Sequence, residues 1–575
     1  MKEKEIKDHE LKHSAAHLLA SAVLKKFPKA KRTIGPAIDD GFYYDFDDVE
    51  ISEEDFKELE KLMQKEVEQK LPFTQKEVTA QEAKKLFKDN KYKLELIDEF
   101  SKDGKKLTIV SHGEYSDLCR GGHVKDTFEI KAFKLTKLAG AYWRGDSKNK
   151  MLTRIYGVAF KSEKELKEYL QMLEEAKKRD HVVLGKKLKL FMFHETSPGS
   201  PYWLPKGVIL LNELIKFWRE EHEKRGYKEI ISPIINKKEL WLKSGHWEHY
   251  KDDMFIADMG KNEVYGIKPM NCPNAMIVFG SEQRSYRDLP LRLSDTDILH
   301  RYELSGTLHG LLRVRAFRQD DAHNFITEDD IESEYKEIFS IVKKFYGIFG
   351  MDYSYRLCTR PEKFLGDKAT WDKAEKALTT LLTNTVGKEN YTLAEGDGAF
   401  YGPKVDIIIK DALGREWQMG TIQLDFQIPK CFDLAYTAKD GTKKTPIVVH
   451  RVIYGSLERF IGILIEHTAG NFPLWLNPEQ VRIMTVTDRN NKYAEEIYEK
   501  LKEAGLRVQF DKDPNSISKK VREAQIEKVT YMVTLGDKEH EKKTLAVRTR
   551  DGKVQFDVKI ENFIKDLKKE IEEKR

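Results

Sequence analysis

Residues 301–323, RYELSGTLHGLLRVRAFRQDDAH, combine four arginines with a glycine-bearing loop between two strand-like ends. Arginine binds phosphate or carboxylate through two parallel hydrogen bonds and keeps its charge at physiological pH. The density of arginine therefore predicts an anion-binding loop. A solvent-exposed basic hairpin is the alternative that this segment alone leaves open.

Cysteine and histidine residues form two further patterns. HSAAH places His13 and His17 on one face of a predicted helix, and CRGGH places Cys119 four residues before His123. Such groups can bind a metal or activate water, although one pair at this spacing often arises by chance. Cys272, in KPMNCPNAM, has no such partner nearby in the sequence, and the residues alone leave its purpose open.

The composition is that of an ordinary folded chain. Of 575 residues, 40% are hydrophobic and 34% are charged, which allows three or four domains with large cores. A net charge of +5 does not by itself indicate nucleic acid, so RNA binding would need a local basic patch. The charged start MKEKEIKDHELKH is unlike a signal peptide, and no run reaches the roughly eighteen apolar residues of a membrane span. The four cysteines show no CxxC spacing, which favours a reducing compartment, and we expect a cytoplasmic protein.

The elements that must position these residues divide into four segments. Short apolar strands and two helical stretches, near residues 8–27 and 53–70, predict a mixed α+β domain over residues 1–161. A run of strong helix formers predicts a linker helix over 162–180. A long helix followed by many strand-like segments predicts a large, mostly antiparallel sheet over 181–477. Strands and helices alternate over 478–575 as in βαβ units, which predicts an α/β domain.

Three motifs resemble those of class II aminoacyl-tRNA synthetases. RYE at 301–303 with Arg313 and Phe317 is similar to motif two, GSLERF is similar to motif three, and the helix closed by Gly226 with Pro233 after it is similar to motif one. KPMNCPN, QDDAHNF, AFYGPKVD and HRVIYGSLERF together resemble the threonyl-specific family of that class. The resemblance runs from HSAAH to the last helix. Bacterial members usually begin with a small ubiquitin-like domain, whereas this chain opens at the domain that would follow it.

The resemblance implies a zinc site formed by Cys272, His323 and His450. Three protein ligands leave one position of a tetrahedral zinc ion open for a substrate. Threonine can bind there through its amino nitrogen and its hydroxyl together, whereas valine carries a methyl group in place of the hydroxyl. A site that must hydrogen-bond a hydroxyl rejects an analogue without it by a factor of about 10⁴–10⁵, far more than an apolar pocket achieves.

The same resemblance assigns residues to the amino acid and to the tRNA end. It implies that Asp321 accepts the hydroxyl proton of threonine and that Gln319 and Tyr401 hold the amino acid. It also implies that His246, in SGHWEHY, assists proton removal at the tRNA end. For this histidine, packing beside a tryptophan is the alternative.

The implied reaction joins threonine to tRNA(Thr) in two steps. The threonine carboxylate attacks the α-phosphorus of ATP, and a terminal tRNA hydroxyl then attacks the adenylate. Preplaced cations favour the charge that builds on the phosphate oxygens. The resemblance places Arg301 at the carboxylate or the α-phosphate, and Arg313 and Arg459 at the outer phosphates beside Mg²⁺. It also implies that Glu303 binds the adenine amino group and that Phe317 stacks on the adenine ring.

Serine requires a second selection step. It differs from threonine by one methyl group, and a binding pocket discriminates against such a difference by only about ten- to two-hundredfold. The resemblance implies an N-terminal editing site that hydrolyses seryl-tRNA. Its implied residues are His13, His17, Cys119, His123, Asp117 and Lys93. Alanyl-specific relatives bind zinc with a similar set, so a second zinc stays open, although the threonyl family implies a metal-free site. Gly122 stands where the family commonly has proline, which would loosen the loop before His123.

Two further expectations concern partners. By resemblance the last domain binds the anticodon, with Glu539 and Arg548 suited to that task, although GDKEHEKKTLAVRTR also reads as a solvated charged hairpin. Class II synthetases of this type work as homodimers, so the helix FWREEHEKRG should pair across a two-fold axis. Rival functions are a seryl or prolyl synthetase and an RNA-binding protein that has lost catalysis. The presence of the phosphate arginines and of all three zinc ligands argues against both.

Overall fold

The structure is a computed structural model that describes residues 3–38, 40–102, 107–146, 148–261, 263–411 and 414–575, with side chains from residue 7 onward. The chain forms two compact units, Met1–Glu175 and Ala176–Arg575, called here the first and second units. The helix Glu163–Arg179 spans the boundary between them and lies within the predicted linker. The predicted boundary at 477 falls inside the second unit, so the division of that unit into two domains stays a prediction.

The first unit is a mixed α+β structure, as predicted. A five-stranded sheet and a three-stranded sheet carry four helices before the boundary helix. The strands are Lys31–Arg32, Ala37–Ile38, Gly41–Asp47, Thr74–Val78, Leu107–His112, Tyr115–Leu118, Ala132–Tyr142 and Met151–Phe160. The helices are Glu3–Lys26, Phe56–Glu68, Ala80–Leu86 and Lys91–Lys102. The last two were missed by the sequence analysis.

The first helix positions the HSAAH pair. Leu11, Leu18 and Ala22 are buried, and this apolar side of the helix belongs to a core cluster that includes residues of the larger sheet. His17 is buried on the same helix and His13 is half-buried, four residues apart. The helix thereby presents both imidazoles on one face, as the sequence predicts.

The second unit is built on a nine-stranded, mostly antiparallel sheet, which confirms the predicted fold class. In spatial order its strands are Lys228–Glu229, Leu291–Asp295, Ala316–Ile326, Ile447–Ser456, Glu416–Asp425, Lys404–Lys410, Tyr353–Cys358 and Tyr391–Ala394, with Ile298–His300 also paired to Ala316–Ile326. We call Ala316–Ile326 the central strand and Ile447–Ser456 the companion strand. They pair antiparallel, with His323 opposite His450.

Helices and short strands surround this sheet. The helices are His181–Lys187, Pro205–Glu223, Lys238–Lys243, His246–Tyr250, Cys272–Gly280, Ile331–Gly347, Lys368–Thr385, Ile428–Cys431 and Leu457–Thr468. The short strands are Phe191–Met192, Tyr202–Trp203, Ile235–Lys237, Ile256–Asp258, Val264–Ile267, Arg284–Ser285, Tyr436–Thr437 and Lys443–Lys444. The predicted motif-one helix corresponds to Pro205–Glu223, and Gly226 after it has a φ of +74°. That left-handed conformation suits a helix end and favours glycine.

The C-terminal part of the second unit holds a five-stranded sheet, and the predicted alternation of strands and helices holds for its first three strands. Val508–Asp511, Val481–Thr485 and Tyr531–Leu535 run parallel, and Leu545–Thr549 and Val554–Val558 extend the sheet antiparallel. The helices are Asn491–Glu503, Ile517–Ile526, Asp537–Lys542 and Ile560–Glu572. The hairpin alternative for GDKEHEKKTLAVRTR is wrong, because its first half is the helix Asp537–Lys542. Among the described helices, none has the length and hydrophobicity that a membrane span requires.

Candidate functional site

A cavity of about 570 Å³ opens over the central strand, the companion strand and the strand Glu416–Asp425. Alternate side chains of a strand point to the same face, and the cavity is lined by Phe317, Gln319, Asp321 and His323 of the central strand. All eleven residues predicted for the amino acid, ATP and zinc line this cavity. They are Cys272, Arg301, Glu303, Arg313, Phe317, Gln319, Asp321, His323, Tyr401, His450 and Arg459.

Three potential metal ligands meet at one end of the cavity. The sulfur of Cys272 and one ring nitrogen each of His323 and His450 all lie within 4.8 Å of one another. The two histidines face each other across the strand ladder, and Cys272 begins the helix Cys272–Gly280. Burial lowers the pKa of His323 well below its ordinary value, which keeps the imidazole neutral and its lone pair free. Burial raises the pKa of the Cys272 thiol, an effect that a bound cation reverses.

Asp425 supports this group and was missed by the sequence analysis. Its Oδ2 lies 2.8 Å from Nε2 of His450, and its side chain is fully buried. A carboxylate in this position fixes the ring so that Nδ1 keeps a lone pair for a metal. A metal-ligating histidine usually donates its other ring N–H to a carboxylate, a backbone carbonyl or water, so the donor set suits a divalent ion.

The pocket beside the cysteine and histidines contains buried polar atoms without a partner. Asn271 donates to Asp321 Oδ2 at 3.0 Å, and Tyr401 donates its hydroxyl to Gln423 Oε1 at 2.9 Å. Within the described part of the chain, Asn271 Oδ1, Gln423 Nε2 and Asp295 Oδ1 have no hydrogen-bond partner. Buried polar atoms are rarely left unpaired unless a ligand or water satisfies them. The pocket is therefore suited to a small polar ligand.

Asp321 of this pocket lies beside a second buried carboxyl group, Asp295. Asp295 and Asp321 are paired across neighbouring strands. Burial raises the pKa of Asp321 to about 6 and, together with the charge of Asp321, raises the pKa of Asp295 to about 8. Asp321 is thus poised to accept a hydrogen bond from a ligand hydroxyl, as the resemblance implies.

The predicted arginines line the same cavity. The Arg301 guanidinium lies 5.1 Å from the centre of the Phe317 ring, and Arg313 forms an ion pair with Glu303 at 2.8 Å. Arg459 donates through Nε to the carbonyl of Leu312 at 2.9 Å. Burial and the charges of Arg301 and Arg313 lower the pKa of Arg459. Three converging arginines create a strongly positive site, and an anionic ligand would relieve their mutual repulsion.

His246 is the predicted residue that does not line the cavity. Its ring is fully buried, with Nδ1 2.8 Å from Ser244 Oγ and Nε2 3.7 Å from Cys272 Sγ. Burial lowers its pKa to about 4, so the ring is neutral. The structure places it behind the thiol, away from the cavity wall, and its predicted role at the tRNA end stays a prediction.

The predicted editing residues come together in the first unit. One ligand atom each of His13, His17, Cys119 and His123 lies within 4.8 Å of the others. The Cys119 sulfur is 3.3 Å from His123 Nε2 and 3.5 Å from His13 Nε2. Burial raises the pKa of Cys119 to about 11 and lowers that of His123 to about 3, so a thiol and neutral imidazoles face each other. Gly122 has a φ of +79°, a conformation that proline cannot adopt.

Asp117 and Lys93 form a buried ion pair at the edge of this group. Asp117 Oδ1 lies 2.7 Å from Lys93 Nζ, and both side chains are 2% exposed. Tyr115 donates to Asp117 Oδ2 at 3.0 Å, and Tyr44 donates to the same oxygen. Both tyrosines were missed by the sequence analysis. A cavity of about 400 Å³ is lined by His13, His17, Cys119, Asp117 and Lys93.

The two predicted anticodon residues lie in the C-terminal part of the second unit. Glu539 accepts a hydrogen bond from the backbone N–H of Gly536 at 2.9 Å and caps the helix Asp537–Lys542. Arg548 lies on the strand Leu545–Thr549 and donates to the carbonyl of Gly552 at 3.1 Å. Both side chains are half-buried, and their predicted contact with RNA stays a prediction.

Comparison with known proteins identifies three domains. Residues 255–468 match the tRNA synthetase class II core domain of the G, H, P, S and T types, and residues 480–570 match an anticodon binding domain. Residues 107–156 match the second additional domain of threonyl and alanyl tRNA synthetases. The core match contains the predicted residues of the catalytic cavity, from Cys272 to Arg459, and the third match contains Asp117, Cys119 and His123, whereas His13, His17 and Lys93 lie before it.

Individual relatives are more specific. The threonine–tRNA ligase of Desulfatibacillum aliphaticivorans is 50% identical over 562 residues, which covers 98% of this chain and 88% of that protein. The threonine–tRNA ligase of Clostridium tetani is 49% identical over 565 residues, with the same coverage. The crystal structure of the RNA binding domain of threonyl-tRNA synthetase from Cryptosporidium parvum aligns with a TM-score of 0.65 and 40% identity, over 68% of this chain and 98% of that one.

The nine-stranded sheet, the arginine-lined cavity and the matched core domain define a class II aminoacyl-tRNA synthetase. The 50% identity to a threonine–tRNA ligase, over 98% of this chain, identifies the family within that class. The chain belongs to the threonine–tRNA ligase family.

Proposed function

We propose that the chain ligates threonine to tRNA(Thr) through an adenylate made from ATP, and that its first unit hydrolyses mischarged seryl-tRNA. The observation that carries the first part is one cavity lined by both a converging cysteine–histidine group and three arginines. A carboxylate bound between them would lie beside the phosphates of ATP. Amino-acid-dependent ATP–pyrophosphate exchange across the twenty amino acids tests this. We expect strong exchange with threonine, and strong exchange with valine but not threonine would overturn the proposal.

Cys272, His323 and His450 would hold a zinc ion in the catalytic cavity, because their donor atoms converge and Asp425 orients one ring. A zinc ion with three protein ligands supplies an open position that can read the amino and hydroxyl groups of threonine. The chain's own residues then fix the amino acid. Asp321 accepts the hydroxyl proton, and Gln319 and Tyr401 hold the amino acid.

ATP would bind over the arginines together with its Mg²⁺. Arg301 lies between the amino-acid pocket and Phe317, where it can hold the carboxylate or the α-phosphate. Arg313 and Arg459 would bind the outer phosphates, and pyrophosphate leaves toward them. Glu303 would bind the adenine amino group and Phe317 would stack on the ring. In the structure Glu303 is paired with Arg313, so ATP binding would exchange that ion pair for contacts with the nucleotide.

The support that Asp425 gives to His450 leads to a prediction. In the Asp425→Asn variant the amide still fits, but it accepts the imidazole proton less strongly. We expect zinc affinity to fall by about 10–100-fold, as for other supporting carboxylates. A titration against a competing chelator measures this. Asp433→Asn, at an exposed position, is the matched control, and equal affinity in the two variants would contradict the assignment.

The first unit is proposed to edit without a metal. Neutral imidazoles can position a water molecule and take its proton, whereas the protonated thiol of Cys119 is a poor base. The ion pair of Lys93 and Asp117 would bind the terminal ribose or the amino group of the misacylated serine. A zinc ion held by His13, His17, Cys119 and His123 is the alternative, since these four also converge. Metal analysis of the Cys272→Ala variant distinguishes the two.

The C-terminal part of the second unit is proposed to bind the anticodon of tRNA(Thr), with Glu539 and Arg548 reading base edges.

We also propose a cytoplasmic location, which the four free cysteines support. Neither point affects the assignment of the reaction.

We also propose a homodimer formed around Pro205–Glu223 and the segment after it. Ile231 is 86% exposed, Ile234 and Ile235 close to it in the sequence are also exposed, and Val208 is exposed on the helix. Clustered exposed apolar side chains mark a surface that another chain can cover. We expect sedimentation at micromolar concentration to give a dimer and the Ile231→Glu variant to shift it toward monomer. Phe556→Glu, 69% exposed in the C-terminal sheet, is the control. A fully active wild-type monomer would refute this.

A further inference from the structure

His181 lies at the start of the second unit and uses both nitrogens of a fully buried ring. Nδ1 is 2.7 Å from Glu466 Oε1, and Nε2 is 3.0 Å from the backbone nitrogen of Leu311. A backbone N–H can only donate, so Nε2 must accept and Nδ1 must carry the proton. The hydrogen-bond network thus fixes one neutral tautomer of this histidine. Its ring does not line the catalytic cavity.

Glu466 holds one side of this arrangement. Its Oε1 also accepts the backbone N–H of His181 at 3.3 Å, and Arg415 binds its other oxygen. Arg415 is in turn fixed by Asp411 Oδ2 at 2.6 Å. Glu466 lies in the helix Leu457–Thr468, two turns after Arg459. The imidazole is therefore anchored to the helix that carries one of the proposed phosphate arginines.

The hydrogen bond at Nε2 of His181 holds the backbone of residues 311–313, which carries Arg313. Leu311 and Leu312 are buried, and Arg313 comes directly after them at the cavity wall. The carbonyl of Leu312 accepts the hydrogen bond from Arg459 Nε at 2.9 Å. A continuous path of hydrogen bonds and backbone thus runs from Glu466 through His181 to Leu311, Leu312 and Arg459.

The packing around the ring is tight. Gly310 has a φ of +49°, and a Cβ added there would lie 2.2 Å from His181 Nε2. A Cβ added at Gly462 would lie 3.5 Å from the ring and 3.0–3.2 Å from the side chains of Leu312 and Leu311. Close packing of this kind transmits a small displacement instead of absorbing it.

We propose that His181 is a positioning residue for ATP, acting by holding the Leu311–Leu312 backbone so that Arg313 and Arg459 converge on the outer phosphates. This rests on the proposed use of those arginines for ATP. The hydrogen bonds of His181 go to Glu466 and Leu311, and its ring is not part of the cavity wall that Gln319, Asp321 and Tyr401 line. Its loss should therefore weaken the binding of ATP and leave the binding of threonine unchanged.

Two substitutions separate the two hydrogen bonds of the ring. In His181→Gln the side-chain amide reaches the position of Nε2, where its oxygen can accept the backbone N–H of Leu311. In His181→Asn the shorter side chain reaches only the position of Nδ1, where its amide can donate to Glu466. In pyrophosphate exchange we expect the KM for ATP to rise about tenfold in His181→Asn, as for one lost buried hydrogen bond, and by less than about threefold in His181→Gln. The KM for threonine should stay the same in both. His540→Asn, in the C-terminal part, is the control.

Three results would overturn the proposal. They are an equal KM for ATP in the two variants, a parallel rise in the KM for threonine, and an unchanged KM for ATP in both. If neither variant folds, Gly462→Ala tests the same point, because its methyl group crowds Leu311 and Leu312 from a helical position that favours alanine. It should raise the KM for ATP severalfold, and an unchanged value would reject the proposal. Wild-type protein without threonine-dependent exchange would instead refute the proposed function.

Discussion

In the Cys272→Ala variant, threonine-dependent pyrophosphate exchange is expected to disappear and the protein to lose its catalytic zinc. The two remaining histidines cannot hold the ion with one defined open position. Any residual activity should no longer distinguish threonine from valine by about 10⁴–10⁵, but by about a hundredfold or less, as in a pocket that recognises shape alone. Metal analysis and exchange with both amino acids measure the two effects.

Cys431→Ala provides the control, because this cysteine is exposed and lies outside the catalytic cavity. It should retain full metal content and activity. If Cys272→Ala kept its zinc and its preference for threonine, Cys272 would be a packing residue, and the ligand set would have to be sought elsewhere in the chain.

The second large effect concerns the first unit. The double variant His13→Ala, His17→Ala should activate and transfer threonine normally, since neither residue lies in the catalytic cavity. Its hydrolysis of preformed seryl-tRNA should fall by about 10²–10⁴-fold, the usual contribution of a positioned acid–base group. Seryl-tRNA should then accumulate when serine competes with threonine.

His9→Ala is the matched control for this experiment, because His9 is exposed on the same helix, four residues before His13. It should clear seryl-tRNA at the wild-type rate. Unchanged clearance in the double variant would require the editing assignment to be withdrawn, while the ligase assignment would stand on the catalytic cavity.

Much of the site could be predicted from the sequence because the residues stand in short, dense motifs. QDDAH carries Gln319, Asp321 and His323 at alternate positions, and a strand brings such positions to one face. Asp425 could not be found in this way. It reaches His450 only through the register of two strands, and the two residues are 25 positions apart.

Other differences have local causes. The helices Ala80–Leu86 and Lys91–Lys102 were missed because each buries few side chains, although Thr79 and Glu82 form a capping box that marks the first. Lys93 lies on the second and is one of its buried residues. The burial of His246 behind Cys272 could not be read from SGHWEHY, because it depends on the packing of two helices that are separate in the sequence.

The central strand sets a limit on how this protein can change its substrate. Phe317, Gln319, Asp321 and His323 all line the cavity from one strand, in strict alternation. Inserting or deleting one residue ahead of them would turn all four side chains to the opposite face together. We therefore expect new amino-acid specificity in this scaffold to arise by exchanging side chains and not by changing the length of this strand. Libraries for evolving such enzymes should keep residues 316–326 free of insertions and deletions.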